Sequence, residues 1–218
     1  MGNSLKHMKH NLNFHNIFST VTKNALDRFS RGSYVASMFI QTEQTPNPST
    51  LKFLPGRVVM EKGTLDFADV ASAQNSPFAK RMFAIEGVER VFFGSDFVTV
   101  TKAADKDWQI LKPSILGGIM EHYTSGEPVA VEAATSEAAV EDDEVVAQIK
   151  ELLETRVRPA VAQDGGDIVF QDFRDGVVYL HMQGSCSGCP SSTATLKMGI
   201  ENLLKHYVPE VVEVQAAQ

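Results

Sequence analysis

Two cysteines, Cys186 and Cys189, are the only thiols in this chain of 218 residues. That number excludes a disulfide framework, and a bridge across so short a spacing would remove almost no entropy from the unfolded chain. The thiols therefore belong in a reducing compartment. The sequence also lacks any unbroken apolar run approaching the ~18 residues that a membrane span needs. It lacks the basic surplus that phosphate recognition requires, since the net charge is -7. Neither a membrane nor a nucleic acid is an expected partner. There is no glycine-rich phosphate loop, no Ser/His/Asp order of a hydrolase and no internal repeat. What remains is an ordinary globular composition, 43% apolar and 22% charged.

Charge is distributed unevenly along the chain. Residues 1–37 carry Lys6, Lys9, Lys23, Arg28 and Arg31 against the single acid Asp27. Leu5, Phe14, Ile17, Phe18, Val21 and Leu26 are spaced for a rough amphipathic helix, so this segment reads as a basic leader, either an organelle transit peptide or an extension ahead of Met38. It is rich in Lys, Asn and His rather than Arg and Ser. The expected location is accordingly a bacterial cytoplasm, with the mitochondrial matrix as the alternative. Residues 127–144, EPVAVEAATSEAAVEDDE, hold seven acids, no base and little bulk. Such a segment cannot offset its ordering entropy by burial, and it reads as a flexible acidic linker.

The expected fold class is α+β, with two small mixed domains at residues 38–126 and 145–218. In the first, MFIQTEQ and TLKFLP read as strands around the Pro46-Asn47-Pro48 turn, SPFAKRMFAI as a short helix, and VERVFF and DFVTVTK as a hairpin around Gly94-Ser95. DWQILKPSILGGIMEHY reads as a helix interrupted at Pro113 and Gly117-Gly118. In the second, Val145, Val146, Ile149, Leu152, Leu153 and Val157 keep helical spacing up to Pro159. DIVFQDF and VVYLHMQ flank an Asp-Gly turn, Leu196 to Tyr207 mark another helix, and VVEVQ closes as a strand. The order is αββαβ.

The cysteines lie in GSCSGCPSS, between a strand and a helix opened by Pro190. Backbone N–H groups at a helix start stabilise anionic sulfur, and Gly184 and Gly188 leave room for a bulky group. Four readings follow. Iron-sulfur clusters are usually held by four thiolates, so one chain would supply half the ligands and two chains all of them. A thioredoxin-type redox pair also places Cys-x-x-Cys between strand and helix. Zinc would need His181 or His206 to complete its set. The last reading is two small buried hydrophobes. Met182 and Met198 are expected as core residues, as are Phe83, Trp108 and Tyr123.

The runs ETRVRPAVAQDGGDIVF and LHMQGSCSGCPSSTATLKMGIENLL closely resemble the C-terminal NifU-like domain of the Nfu family of iron-sulfur cluster carriers. MFIQTEQTPNPSTLKFLPG with FGSDFVTVTK resembles that family's N-terminal domain. The resemblance implies that Cys186 and Cys189 are the cluster ligands and that a 4Fe-4S cluster bridges the two protomers of a homodimer. It further implies a protein that is no enzyme, takes its cluster from upstream cluster-assembly proteins and delivers it to apo iron-sulfur clients. A thiol-disulfide oxidoreductase using the same Cys-x-x-Cys is the alternative function.

Overall fold

The computed structural model describes residues 39–130, 143–188 and 190–217. The leader at residues 1–37, residues 131–142 of the acidic stretch and Cys189 lie outside the described residues.

Two prolines that cannot donate to a sheet ladder separate the first two strands, β1 (Gln41–Gln44) and β2 (Thr50–Leu54). Their turn is closed by side chains instead. Thr45 Oγ1 donates to the carbonyls of Asn47 and Thr50 at 2.9 and 3.0 Å, and Asn47 Oδ1 accepts from the Ser49 N–H at 3.0 Å. β3 (Leu65–Phe67), β4 (Val88–Phe93) and β5 (Val98–Lys102) complete an antiparallel sheet in the order β1-β2-β5-β4-β3. The three residues of β3 are too few for alternation to announce them.

Alternation decides what each face of this sheet meets. Leu51, Phe53, Val91, Phe93, Val98 and Val100 point inward onto two helices, α1 (Pro77–Phe83) and α2 (Trp108–Ser125). Ser76 caps α1 by accepting from the Ala79 N–H at 3.0 Å, and Asp107 caps α2 by accepting from Gln109 at 2.8 Å. The expected interruption of α2 does not occur. Pro113 and Gln109, whose carbonyl loses its partner to the proline, both lie on the exposed side where water satisfies that oxygen, while Leu111, Ile115 and Ile119 form the buried stripe. Gly118 serves packing rather than flexibility, since a Cβ there would stand 2.6 Å from Met82 Cε of α1. Trp108, Phe83 and Tyr123 pack partly buried against this core. The acidic stretch starts anchored: Glu127 pairs with Arg81 at 2.8 Å, and the Val129 carbonyl accepts from the Ser76 hydroxyl.

The second core follows the αββαβ order. α3 (Glu144–Leu152) runs into a π turn (Leu153–Val157) and then α4 (Arg158–Gln163). Helical spacing predicts a stop before Pro159. The helix nevertheless continues through Pro159, which enters the first turn of α4 directly after the wider π turn. β6 (Gly166–Arg174) and β7 (Val177–Gly184) pair antiparallel around Asp175-Gly176, both at positive φ (51° and 78°), the geometry an Asp-Gly hairpin turn demands. α5 (Pro190–Tyr207) then carries the chain to β8 (Glu213–Ala216), which pairs parallel to β7. Thus β7-α5-β8 is a βαβ crossover, which element order alone did not disclose. Ile149, Leu153, Val161, Ile168, Val178, Leu180, Met182, Ile200 and Leu204 fill the core. Met198 departs from expectation, standing exposed on α5.

Candidate functional site

The site grows from the end of the β6-β7 ladder, where Gly166 pairs with Gly184. Beyond it the chain folds back in a tight loop: the Cys186 N–H donates to the Gln183 carbonyl at 3.3 Å and the Ser187 N–H to Gly184 at 3.2 Å. Gly184 and Gly188 both sit at positive φ, 60° and 82°. Ser185, almost fully buried, donates its hydroxyl to the Asp164 carbonyl at 2.7 Å, and Thr193 of α5 donates to the Cys186 carbonyl at 3.0 Å. These bonds lock Cys186 from both sides.

The Cys186 side chain is only 7% exposed and closes one end of a cavity of about 620 Å³. Val157 and Val161 form one wall, Leu196, Ile200 and Leu203 of α5 the other, and Pro46 of the first domain reaches its rim. Burial pushes the thiol pKa up to about 11, with the Asp164 and Asp167 charges adding to the rise and the Ser185 hydroxyl, 4.0 Å from Sγ, opposing it. Attack on a disulfide and ligation of a metal both need the thiolate, so this shift favours neither the redox nor the metal reading. Gly166 lets the Cys186 sulfur pack directly against the backbone, since a Cβ there would lie 2.5 Å from it. The donor set, a sulfur facing a cavity beside a bare glycine, suits a soft metal or a cluster.

The Asp164-Gly165-Gly166-Asp167 run is the loop's anchor. Asp167, 3% exposed, accepts bidentate bonds from Arg158 at 2.8 and 2.7 Å and a third from the Ile168 N–H. Arg158 also binds Glu154, one turn back, and its guanidinium is held even more firmly protonated by these carboxylates. Gly165 at φ 81° makes the tight connection that glycine permits. Sequence spacing did not single out Arg158 as the partner of Asp167, because an ion pair between a helix start and a strand start has no periodic signature.

His181 lies on the face of β7 that alternates away from the core, and His206 lies near the far end of α5. Among the described residues, no three His, Cys, Asp or Glu side chains gather as a ligand set. Nor is any described helix long and apolar enough to cross a membrane. Four first-domain residues also reach this region: Asn47, Lys52, Thr64 and Thr99. For Lys52 and Thr99 the sequence signal was a polar residue between apolar neighbours in a strand; Asn47 in the proline turn and Thr64 ahead of β3 carried none.

The chain matches two families along its length. Residues 40–126 match the "Scaffold protein Nfu/NifU N terminal" family and residues 149–215 the "NifU-like domain". NifU-like protein 4, mitochondrial, of Arabidopsis thaliana is 56% identical over 84% of this chain and 68% of its own length. NifU-like protein 5, mitochondrial, of the same plant is 54% identical over 92% and 78%. The human NFU1 iron-sulfur cluster scaffold homolog, mitochondrial, is 54% identical over 83% and 72%. These names overturn the expectation of a bacterial cytoplasm and favour the mitochondrial alternative. The leader's basic, acid-poor character fitted a transit peptide, but its Lys, Asn and His in place of Arg and Ser counted against one, and both compartments are reducing. With both halves matched in order and relatives this similar over most of their length, the chain belongs to the Nfu family of NifU-like proteins.

Proposed function

We propose that the protein is a mitochondrial iron-sulfur cluster carrier whose cargo is a 4Fe-4S cluster held between two protomers. Cys186 and Cys189 of each chain supply two of the four thiolates. The observation that carries this reading is the donor arithmetic: Cys186 faces a roomy cavity, and the sequence offers only one other cysteine, three residues away. The names of the mitochondrial relatives, one of them a cluster scaffold, support the same assignment.

Cargo leaves by ligand substitution. An incoming client thiol loses its proton and its thiolate replaces Cys186 or Cys189 on iron, while the released cysteine takes up a proton. One iron–thiolate bond forms as another breaks, no electron is transferred and the cargo leaves chemically unchanged, so the protein is not an enzyme. Burial favours the neutral thiol of Cys186 once iron is gone, so the released sulfur keeps the proton it takes up.

The test is anaerobic reconstitution of the full chain, followed by visible absorption, iron and sulfide content and native mass. We expect about four irons per dimer, and the loss of both cluster and dimer in Cys186→Ser and in Cys189→Ser. A full iron complement in either variant overturns the ligand assignment. A colourless monomer whose thiols close reversibly into a disulfide would establish the oxidoreductase alternative, which the strand-to-helix placement of the cysteines also fits.

A further inference from the structure

The outer face of the first sheet is unusual for a surface. Pairing registers place Glu43, Lys52, Thr99, Phe92 and Asp66 opposite one another in a single row across all five strands. Lys52, Thr99 and Phe92 in this row are buried although the helices lie on the other face. What buries them is the second domain.

The junction is a face of donors against a face of acceptors. Lys52 Nζ donates to the carbonyls of Ala162 and Gln163 at 3.1 and 3.0 Å, at the C-terminal end of α4 where a cation is favoured. Thr99 Oγ1 donates to the Gly165 carbonyl at 2.7 Å, and Thr64 Oγ1 to the Asp167 carboxylate at 2.9 Å. Asn47 Nδ2 reaches furthest, donating to the Ser187 carbonyl inside the cysteine loop at 3.2 Å. Phe92 supplies the apolar contact, its ring lying where a Cβ on Gly184 would come within 2.9 Å.

We propose that this face of the first sheet is a docking surface for the cysteine loop of the chain's own second domain, and that it competes with a second protomer for that loop. The inference rests on the two-protomer reading of the cluster site. A face-to-face approach of two loops must bring foreign chain beside Ser187 and Gly188. In the docked chain the first domain already stands there: Asn47 holds the Ser187 carbonyl, and Asn47, Ser49, Arg90 and Lys102 wall the cavity of about 280 Å³ beside Ser187 and Gly188. The cluster-bridged dimer and the docked monomer therefore exclude each other. The contact is reversible for a physical reason: its two charged groups keep partners within their own domains, Lys52 with Glu43 at 3.5 Å and Asp167 with Arg158 at 2.7 Å, and water replaces the remaining hydrogen bonds when the faces part. Docking shields the loop of an empty carrier, and loading releases it.

Lys52 is the reporter, because its side chain is only 9% exposed while Lys62 of the same domain lies in the open. The full-length chain, cluster-free and cluster-loaded, is treated with an amine-acylating acetyl ester, and both lysines are followed by peptide mass spectrometry. We expect Lys52 to react at least about tenfold more slowly than Lys62 in the cluster-free monomer, and to approach the Lys62 rate in the loaded dimer. Asn47→Asp keeps the oxygen that holds the Ser49 turn but sets a carboxylate against the Ser187 carbonyl. It should speed Lys52 acylation in the cluster-free chain and lower the protein concentration at which loaded dimer forms, with the Trp108 fluorescence unfolding transition unchanged. Equal reactivity of Lys52 and Lys62 without cluster overturns the docking, and a Lys52 still shielded in the loaded dimer overturns the competition. A chain that takes up no iron or sulfide fails earlier, at the carrier reading itself, while its cluster-free rates still report the docking.

Discussion

Cys186 shows how little of a site one residue supplies. Its sulfur can sit where it does because Gly166, twenty positions earlier, has no side chain to occupy the same space. Gly166→Ala would put a methyl 2.5 Å from Sγ, 2.8 Å from the Gln183 carbonyl and 3.0 Å from the Ser185 hydroxyl, so the loop must shift. We expect a loss of about 1–3 kcal/mol in the second domain, together with a strongly reduced iron content after reconstitution. Urea unfolding and iron analysis check the two effects, and a variant that loads normally would show that the glycine matters only to the turn. At this scale the cysteine pair was legible because adjacency along the chain is itself the signal. Its surroundings were not: the Arg158–Asp167 pair and the Ser185–Asp164 bond join residues that follow no common period.

Among the elements, most strands and helices are legible in the sequence pattern because alternation and helical spacing are local consequences of which face is buried. Pattern and structure part company at two prolines. Pro113 predicts an interruption that α2 does not show, and Pro159 predicts the end of a helix that in fact continues through a π turn to Gln163. In both places the helix tolerates the missing N–H, on an exposed side in one and directly after a π turn in the other. Pro113→Ala should restore one bond to the Gln109 carbonyl and stabilise the first domain by about 1–2 kcal/mol, the unfolded chain's added freedom offsetting part of the gain. A rise in the urea midpoint followed by Trp108 fluorescence would show it. No change would mean that the solvated carbonyl already offsets the lost bond.

At the scale of the whole molecule, two apolar cores meet across a polar junction, and this predicts how the protein comes apart. Leu204 is fully buried in the second core, whereas Trp108, the single tryptophan, packs against the first. Leu204→Ala should cost about 3–5 kcal/mol and lower the transition seen by far-UV circular dichroism, leaving the tryptophan transition almost in place. A common shift of both signals would mean that the junction makes the molecule one cooperative unit. The amino-acid sequence by itself determined the αββαβ order of the second half, the first sheet's main strands and the paired cysteines at a strand-to-helix turn, since each is written in residues a few positions apart. Only the tertiary structure decided that β8 runs parallel to β7, that Gly166 faces the Cys186 sulfur, and that Asn47, Lys52 and Thr64 reach partners 140, 110 and 103 residues away. Contacts over such separations arise from how whole faces balance burial against hydrogen bonding, and no short stretch of chain carries that sum.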